Sequence, residues 1–256
     1  MLSSERQKQI LDYLTLRKSA SVQQLCSKVY ASAATIRRDL NQLEKRGLIQ
    51  RTHGGAAIAE EGGAGEESLF LRQERNISCK NRIAELASYF IKDSSTVFMD
   101  PSSTVSRVAP FLKRYKNVTV ITNGLNCAML LSQKTTCGVY IPAGRLVSRS
   151  NSVTGSDTLE DLSRFCADTA LVSCAGLSLE YGVTEPSVEQ SRIKMAMLKN
   201  ARTRILLIDH TKFGLTFLSR TCSPDLFDYI ITDEAPDSSV EEFFSGTSCE
   251  LVYPER

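Results

Sequence analysis

The run Ser32-Ala33-Ala34-Thr35-Ile36-Arg37-Arg38-Asp39-Leu40, followed closely by Arg51-Thr52-His53-Gly54-Gly55, constrains this chain more than any other segment. Ile36, Leu40 and Leu43 recur at helical spacing and predict one apolar face. Ser32 stands where a hydroxyl can accept from an orphan N–H of the first turn. Arg37 and Arg38 then point away from the core. Ala33, Ala34 and Thr35 are small, so the first turn can approach another surface closely. A guanidinium is a planar fork that fits phosphate or the O6/N7 edge of guanine. The segment therefore predicts a DNA-recognition helix, with Ser32, Ala33, Ala34, Thr35, Arg37 and Arg38 as its contact residues. Asp39 would be repelled by phosphate and is expected to orient Arg38 or another nearby basic side chain.

The neighbouring chain supplies the rest of such a module. Ser21 can cap a helix from Val22 to about Val29, with Val22, Leu25, Cys26 and Val29 inward. The connection Tyr30-Ala31-Ser32 is short, as a helix-turn-helix needs. An earlier helix, about 4–17, offers Ile10, Leu11 and Leu14 to a three-helix core. Leu48 to Thr52 alternates like a strand, and Gly54-Gly55 turns it back into Ala56-Ala57-Ile58. That two-stranded ribbon would be a wing carrying Arg51 and His53. The alternative is a structural helical hairpin with a solvated basic face. Charge favours the first reading: residues 1–58 hold ten Lys/Arg and four Asp/Glu, a net +6, on a chain of net +2. A basic first quarter on an acidic body is the asymmetry of a nucleic-acid module joined to something else.

At 256 residues, 42% of them hydrophobic, the chain can hold two domains with a sizeable core. A glycine- and glutamate-rich run marks the boundary, giving domains at 1–58 and 70–256 with a linker over 59–69. No stretch approaches the length of a transmembrane helix, so no membrane association is expected. The start Met-Leu-Ser-Ser-Glu-Arg-Gln-Lys has no apolar core, which argues against a signal peptide. The eight cysteines are dispersed without a Cys-x-x-Cys pair. Cys26, Cys127, Cys166 and Cys174 fall in apolar segments and are expected to be buried thiols in a reducing cytoplasm. Neither of the two histidines has a ligand partner at metal-site spacing, so neither metal nor cofactor is expected.

Residues 70–256 alternate helical and strand-like runs, which predicts an α/β domain with a mostly parallel sheet covered on both faces. Strands are expected at 96–100, 118–122, 137–141, 169–173, 204–209, 228–233 and 250–252. Helices are expected at 78–91, 104–114, 124–131, 157–165, 187–200 and 239–244. Ligands of such sheets sit beyond the carboxyl ends of the strands, where polar clusters occur. Asp100-Pro101-Ser102-Ser103-Thr104 puts three hydroxyls before a helix, a candidate phosphate cradle. Thr122-Asn123-Gly124 and Ala143-Gly144-Arg145 follow the next two strands. Asp209-His210-Thr211-Lys212 supplies a cation after a later one.

Two long patterns resemble the DeoR family of bacterial transcription regulators. The first comprises Val22-Gln23-Gln24-Leu25, Ser32, Thr35 to Leu40, Leu43-Glu44, Gly47, Arg51 and His53-Gly54-Gly55-Ala56. The second comprises Lys80, Asp100, Ser103-Thr104, Thr122-Asn123, Gly144, Gly155, Gly176, Gly182, Thr184, Glu189, Lys194, Asp209, Lys212-Phe213-Gly214 and Thr232-Asp233. The resemblance implies a winged helix-turn-helix, then a sugar-phosphate sensor domain similar in fold to ribose-5-phosphate isomerase. By it, Ser102, Ser103 and Thr104 would hold the phosphate, while Asp100, Thr122, Asn123, Gly144, Arg145 and Lys212 would line the sugar pocket. Two positions depart from the family: Ser102 stands where a glycine is usual, and Ala143-Gly144 replaces Gly-Gly. The function expected is a cytoplasmic, homo-oligomeric repressor of a sugar-metabolism operon, with operator DNA and a phosphorylated sugar as partners and no catalytic residue. Two alternatives remain. One is a sugar-phosphate isomerase using Asp100, Glu189, Asp209 and Lys212 for proton transfer. The other is a DNA-bound scaffold without a ligand.

Overall fold

The computed structural model describes residues 3–45, 48–58 and 67–254. Contacts divide the chain into two compact units, 1–71 and 72–256. The linker expected over 59–69 lies outside the described residues as far as position 66.

The first unit runs α1 (Ser3–Arg17), β1 (Ser19–Ser21), α2 (Val22–Val29), α3 (Ala33–Lys45), β2 (Ile49–Thr52) and β3 (Gly55–Ile58). Ile10, Leu11, Leu14, Leu25, Ile36, Leu40 and Leu43 close the three-helix core. Ser21 starts α2 with a reciprocal capping box: its hydroxyl accepts from Gln24 N–H and Gln24 Oε1 accepts from Ser21 N–H. Tyr30, in the left-handed region at φ 51°, ends the helix. Cys26 is half-buried rather than inside the core.

The wing has three strands, not two, in the order β1-β3-β2. The third strand was missed because Ser19–Ser21 is short and polar at both ends. Gly55 lets it pair: a Cβ there would lie 2.1 Å from the Ala20 carbonyl oxygen.

Asp39 is buried and is held by α1. Arg6 Nε donates to it at 2.5 Å, Arg6 Nη2 at 3.2 Å, Ser3 Oγ at 3.2 Å and Gln7 Nε2 at 3.4 Å. The basic side chain that Asp39 orients is thus Arg6, which leaves Arg38 on the outer face. Hydrogen bonding to Asp39 raises the Arg6 pKa further above its ordinary value.

The next elements are α4 (Leu69–Glu74), α5 (Ile77–Ser88), β4 (Thr96–Met99), a 3₁₀ helix over Val105–Arg114, β5 (Thr119–Ile121), α6 (Leu125–Lys134) and β6 (Gly138–Tyr140). There follow β7 (Arg145–Val147), β8 (Ser152–Thr154), α7 (Ser156–Ser163), β9 (Ala167–Val172), β10 (Gly176–Ser178), β11 (Gly182–Glu185) and α8 (Val188–Lys199). The chain continues through β12 (Ala201–Leu207), β13 (Ser219–Cys222), β14 (Tyr229–Ile231), α9 (Ser238–Ser245) and β15 (Glu250–Val252).

Seven strands form one sheet in the order β15-β14-β12-β9-β4-β5-β6, and every pairing in it is parallel. Alternate residues serve opposite faces. Phe98, Ile121, Val172, Leu206 and Ile230 pack in one core, while Val97, Met99, Val120, Leu171, Leu207 and Ile231 pack in the other. The helix after β4 is 3₁₀ in type and carries Pro110, which has no N–H for an α-helical bond. Two small antiparallel sheets, β7-β8 and β10-β11-β13, lie outside the strands that the sequence predicts. Cys127 and Cys174 are buried, which pushes both thiols up to about 12. Cys166, expected inside, is exposed in the turn between α7 and β9.

The pair holding α1 to α3 makes the two partners unequal. Arg6→Ala strands a carboxylate that has almost no access to water and should cost about 3 kcal/mol. Asp39→Asn keeps a neutral hydrogen-bonding group beside Arg6, 15% exposed, and should cost about 1–2 kcal/mol. Urea unfolding of both full-length variants measures the difference, and equal small losses would remove Asp39 as the strut of this unit.

Candidate functional site

On α3, Arg37 and Arg38 are exposed and share a shallow depression with Ala34, Asn41 and Gln42. Ala33 is exposed on the preceding turn. The hydroxyls of Ser32 and Thr35 lie 2.9 Å apart, and Ser32 Oγ accepts from Thr35 N–H at 3.3 Å, so both close the helix start. His53 is exposed where β2 turns into β3, beside Gly54 at φ +86°. Arg51 is half-buried, and its guanidinium donates to Asn41 Oδ1 at 2.8 Å, which fastens the wing to α3.

In the second unit the sheet order reverses beside β4. The chain steps from β4 to β5 and β6 on one side, then returns to β9 on the other and continues to β12, β14 and β15. Crevices open at the carboxyl ends of strands where order reverses. Asp100 stands at that point, and its carboxylate joins the two sides. One oxygen accepts from Ser102 N–H at 2.9 Å and the other from Ser173 N–H, just beyond β9, at 2.9 Å. Lys194 of α8 reaches Asp100 at 3.2 Å, donates to the Ser173 carbonyl at 2.6 Å and pairs closely with Glu185 of β11. Among these groups Lys194 is held fully charged, its pKa raised despite burial by Glu185 and Asp100.

Ser102, Ser103 and Thr104 are buried in the loop that Asp100 shapes. Ser102 Oγ accepts from Val105 N–H at 3.2 Å. Thr122 and Asn123 end β5 beside it, with Thr122 Oγ1 accepting from Gly124 N–H and Asn123 Nδ2 donating to the Val153 carbonyl. Lys212, in a 3₁₀ turn after β12, donates to the Cys174 carbonyl at 2.5 Å and approaches Ser173 Oγ at 3.5 Å. Residues from the ends of β4, β5, β9 and β12 are thereby gathered on one edge. Gly144 is set by close approach: at φ +143°, a Cβ would meet Thr158 Oγ1 at 2.2 Å. Arg145 is exposed on β7 and makes no side-chain bond to the other candidates among the described residues.

Four buried side-chain atoms of this region have no hydrogen-bond partner: Thr104 Oγ1, Asn123 Oδ1, Thr154 Oγ1 and Gln190 Oε1. Each such group costs about 1–3 kcal/mol until something satisfies it. Gln190 also donates to Ser152 Oγ at 2.7 Å, and Ser150 and Ser152 share a bond of 2.7 Å. Glu185, Ser173, Gln190, Ser152 and Thr154 were not singled out from the sequence, because they come from short strands and from α8. Lys80 of α5 is buried and donates to the Arg72 and Arg75 carbonyls. Burial, then the neighbouring Lys212 ammonium, pushes it down to about 8.

Residues 6–62 match the DeoR-like helix-turn-helix domain, and residues 75–234 match the DeoR C terminal sensor domain. Over its full length the chain is 33% identical to the HTH-type transcriptional repressor GlcR of Bacillus subtilis (strain 168), spanning 98% of that protein. The chain belongs to the DeoR family. It therefore combines the DNA-binding and sensor domains of a transcriptional regulator. The glycerol-3-phosphate regulon repressor of Escherichia coli (strain K12) is 30% identical across 98% of this chain and 99% of its own length. Ribose 5-phosphate isomerase A from Methanocaldococcus jannaschii aligns with 54% of this chain and 55% of its own, at a TM-score of 0.40 and 16% identity. Ser102, where the resemblance leads one to expect glycine, lies within the matched sensor domain, and its hydroxyl accepts from Val105 N–H. No helix among the described residues is long and apolar enough to cross a membrane.

Proposed function

We infer that this chain is a cytoplasmic, homo-oligomeric repressor of a sugar-metabolism operon, released or tightened on its operator by a phosphorylated sugar bound at the ends of β4, β5, β9 and β12. The observation that carries the reading is the strand-end cluster where sheet order reverses. There Ser102, Ser103, Thr104, Asn123 and Lys212 stand at neighbouring strand ends, and Thr104 Oγ1 and Asn123 Oδ1 are buried without partners. Hydroxyls and an ammonium suit a phosphate dianion, and unpaired amide and hydroxyl groups suit a polyol. Asp100, Thr122 and Gly144 shape that pocket, and Arg145 is its exposed rim. The names of the relatives, a transcriptional repressor and a glycerol-3-phosphate regulon repressor, support repression and a small phosphorylated ligand.

An isomerase reading is less well supported. Asp100 is engaged by two backbone N–H groups and Lys194, while Glu189 is exposed on the first turn of α8, bonded to Ser187. Control of DNA by the ligand requires different ligand affinities in the DNA-competent and DNA-incompetent states. Oligomerisation would link two DNA modules and raise operator affinity without new contacts. Exposed Leu179, Tyr181, Leu215 and Leu218 in the second unit support such an interface.

Ser32, Ala33, Ala34, Thr35, Arg37, Arg38, Arg51 and His53 form the DNA-facing set, with Arg37 and Arg38 reading bases or phosphates. Arg37→Ala or Arg38→Ala should cost roughly 1–3 kcal/mol on an operator if the side chain grips a guanine edge, with specificity relaxed at one base. Fluorescence anisotropy at two salt concentrations, against operator and random duplexes, reads this. Sedimentation of the same complexes should show at least two chains per operator. Unchanged operator affinity in both variants removes α3 as the reading helix.

A phosphosugar should bind at least about tenfold more tightly than its unphosphorylated parent, since charge-assisted hydrogen bonds contribute about 1.5–3 kcal/mol. Lys212→Ala should weaken the phosphosugar and leave ligand-free operator binding intact. Calorimetry against hexose, pentose and amino-sugar phosphates checks this. Equal affinity for sugar and phosphosugar rejects the phosphate site, and no binding to any of them favours a ligand-free scaffold.

A further inference from the structure

Neither histidine was expected to find a metal-ligand partner, because no Cys, His, Asp or Glu stands at ligand spacing beside one. The fold brings two possible ligands to His210 from distant parts of the chain. Cys79 enters from the first turn of α5, His210 from the turn after β12 and Asp233 from the end of β14, and their donor atoms all lie within 4.8 Å of one another. His210 Nδ1 is 2.9 Å from Asp233 Oδ2, and His210 N–H donates to Asp233 Oδ1 at 2.8 Å. The Cys79 thiol lies on the same side, within 4.8 Å of both the imidazole and the carboxylate.

We propose that Cys79 Sγ, His210 Nδ1 and Asp233 Oδ2 bind a thiophilic divalent ion of the zinc type, a second ligand site in the sensor domain. One sulfur, one imidazole and one carboxylate form a donor set that soft and borderline cations favour over magnesium or calcium. Bond lengths of about 2.0–2.3 Å around tetrahedral zinc put the donors roughly 3.4–3.6 Å apart. The donors already stand near that spacing, within 4.8 Å of one another. Asp233 is 3% exposed and anchors the set, while His210 is open to solvent, so an ion can enter and keep a fourth position for water. Glu234 Oε1 lies 3.7 Å from His210 Nδ1 and adds negative charge at the mouth. Arg82 donates to the Asp233 main-chain carbonyl at 3.2 Å.

A nucleophilic Cys-His-Asp arrangement fits these contacts less well. There the imidazole stands between thiol and carboxylate. Here all three donor atoms lie within 4.8 Å of one another, so the thiol stands by the carboxylate as well as the imidazole and the three converge on one point. On binding, the thiol proton passes to solvent and the sulfur donates its electron pair to the ion, with no change of oxidation state. His210 and Lys212 share one 3₁₀ turn, capped by Asp209. Occupancy would fix the turn that carries Lys212. That consequence rests on the phosphosugar reading, whereas the metal site does not.

The test uses the full chain, stripped with chelator under reducing conditions and titrated with Co²⁺ and then Zn²⁺. The expected result is one tight ion per chain, a sulfur-to-cobalt charge-transfer band, and displacement of cobalt by zinc. Cys79→Ser should abolish the band, and Cys79→Ser and His210→Gln should each weaken binding at least roughly tenfold. Cys166→Ser, a change at an exposed thiol elsewhere, should alter nothing. Circular dichroism melts establish that each variant is folded. No binding at micromolar metal, an unchanged band in Cys79→Ser, or loss of binding only in Cys166→Ser would each overturn the assignment.

Discussion

Lys194 places one positive charge between Asp100, Glu185 and the Ser173 carbonyl, where water has almost no access. A buried ion is tolerated only when it is paired and hydrogen-bonded. Each partner comes from a different part of the chain: the loop after β4, strand β11 and the end of β9. The ammonium therefore does what no local propensity can do, which is to pin three strand ends into one arrangement. Two carboxylates against one ammonium leave an excess of negative charge. Lys212, bonded to the neighbouring Cys174 carbonyl, offsets it. The loop of Ser102 to Thr104 inherits its shape from the same carboxylate, because Asp100 holds the Ser102 N–H.

The first unit repeats the device on a smaller scale. Asp39 lies beside two arginines in sequence, yet it is satisfied by Arg6 from another helix. Internal pairing of the acid leaves Arg37 and Arg38 as exposed, uncompensated positive charge on α3. The face of α3 that carries Arg37 and Arg38 is basic because Asp39, next to them in sequence, is turned inward.

The helices of the first unit were legible because capping and periodicity are local. Ser21, Ser32 and the spacing of Ile36, Leu40 and Leu43 sit where the structure uses them. The parallel strands were legible for the same reason, as continuous apolar runs buried on both faces. Strands β1, β7, β8, β10, β11 and β13 were not, since three or four residues with polar members carry no periodicity and are fixed by partners far along the chain. Of the sensor residues, the polar clusters after β4, β5 and β12 could be read as strand ends. The partners of Lys194, the role of Gln190 and the meeting of Cys79 with His210 and Asp233 depend on tertiary packing. Cys166 was misplaced by neighbourhood: it stands beside the buried Ala167 but is itself exposed.

The dependence of the pocket on Lys194 can be measured in a single series: urea unfolding of full-length Lys194→Met and wild type, each with and without a bound phosphosugar. Removal of the ammonium strands two buried carboxylates and should lower stability by about 3–5 kcal/mol. The ligand should then add clearly less stability to the variant than to wild type, although Lys194 itself is engaged with Asp100, Glu185 and Ser173. A variant that unfolds at the wild-type midpoint and gains the same stabilisation from the ligand would contradict the account.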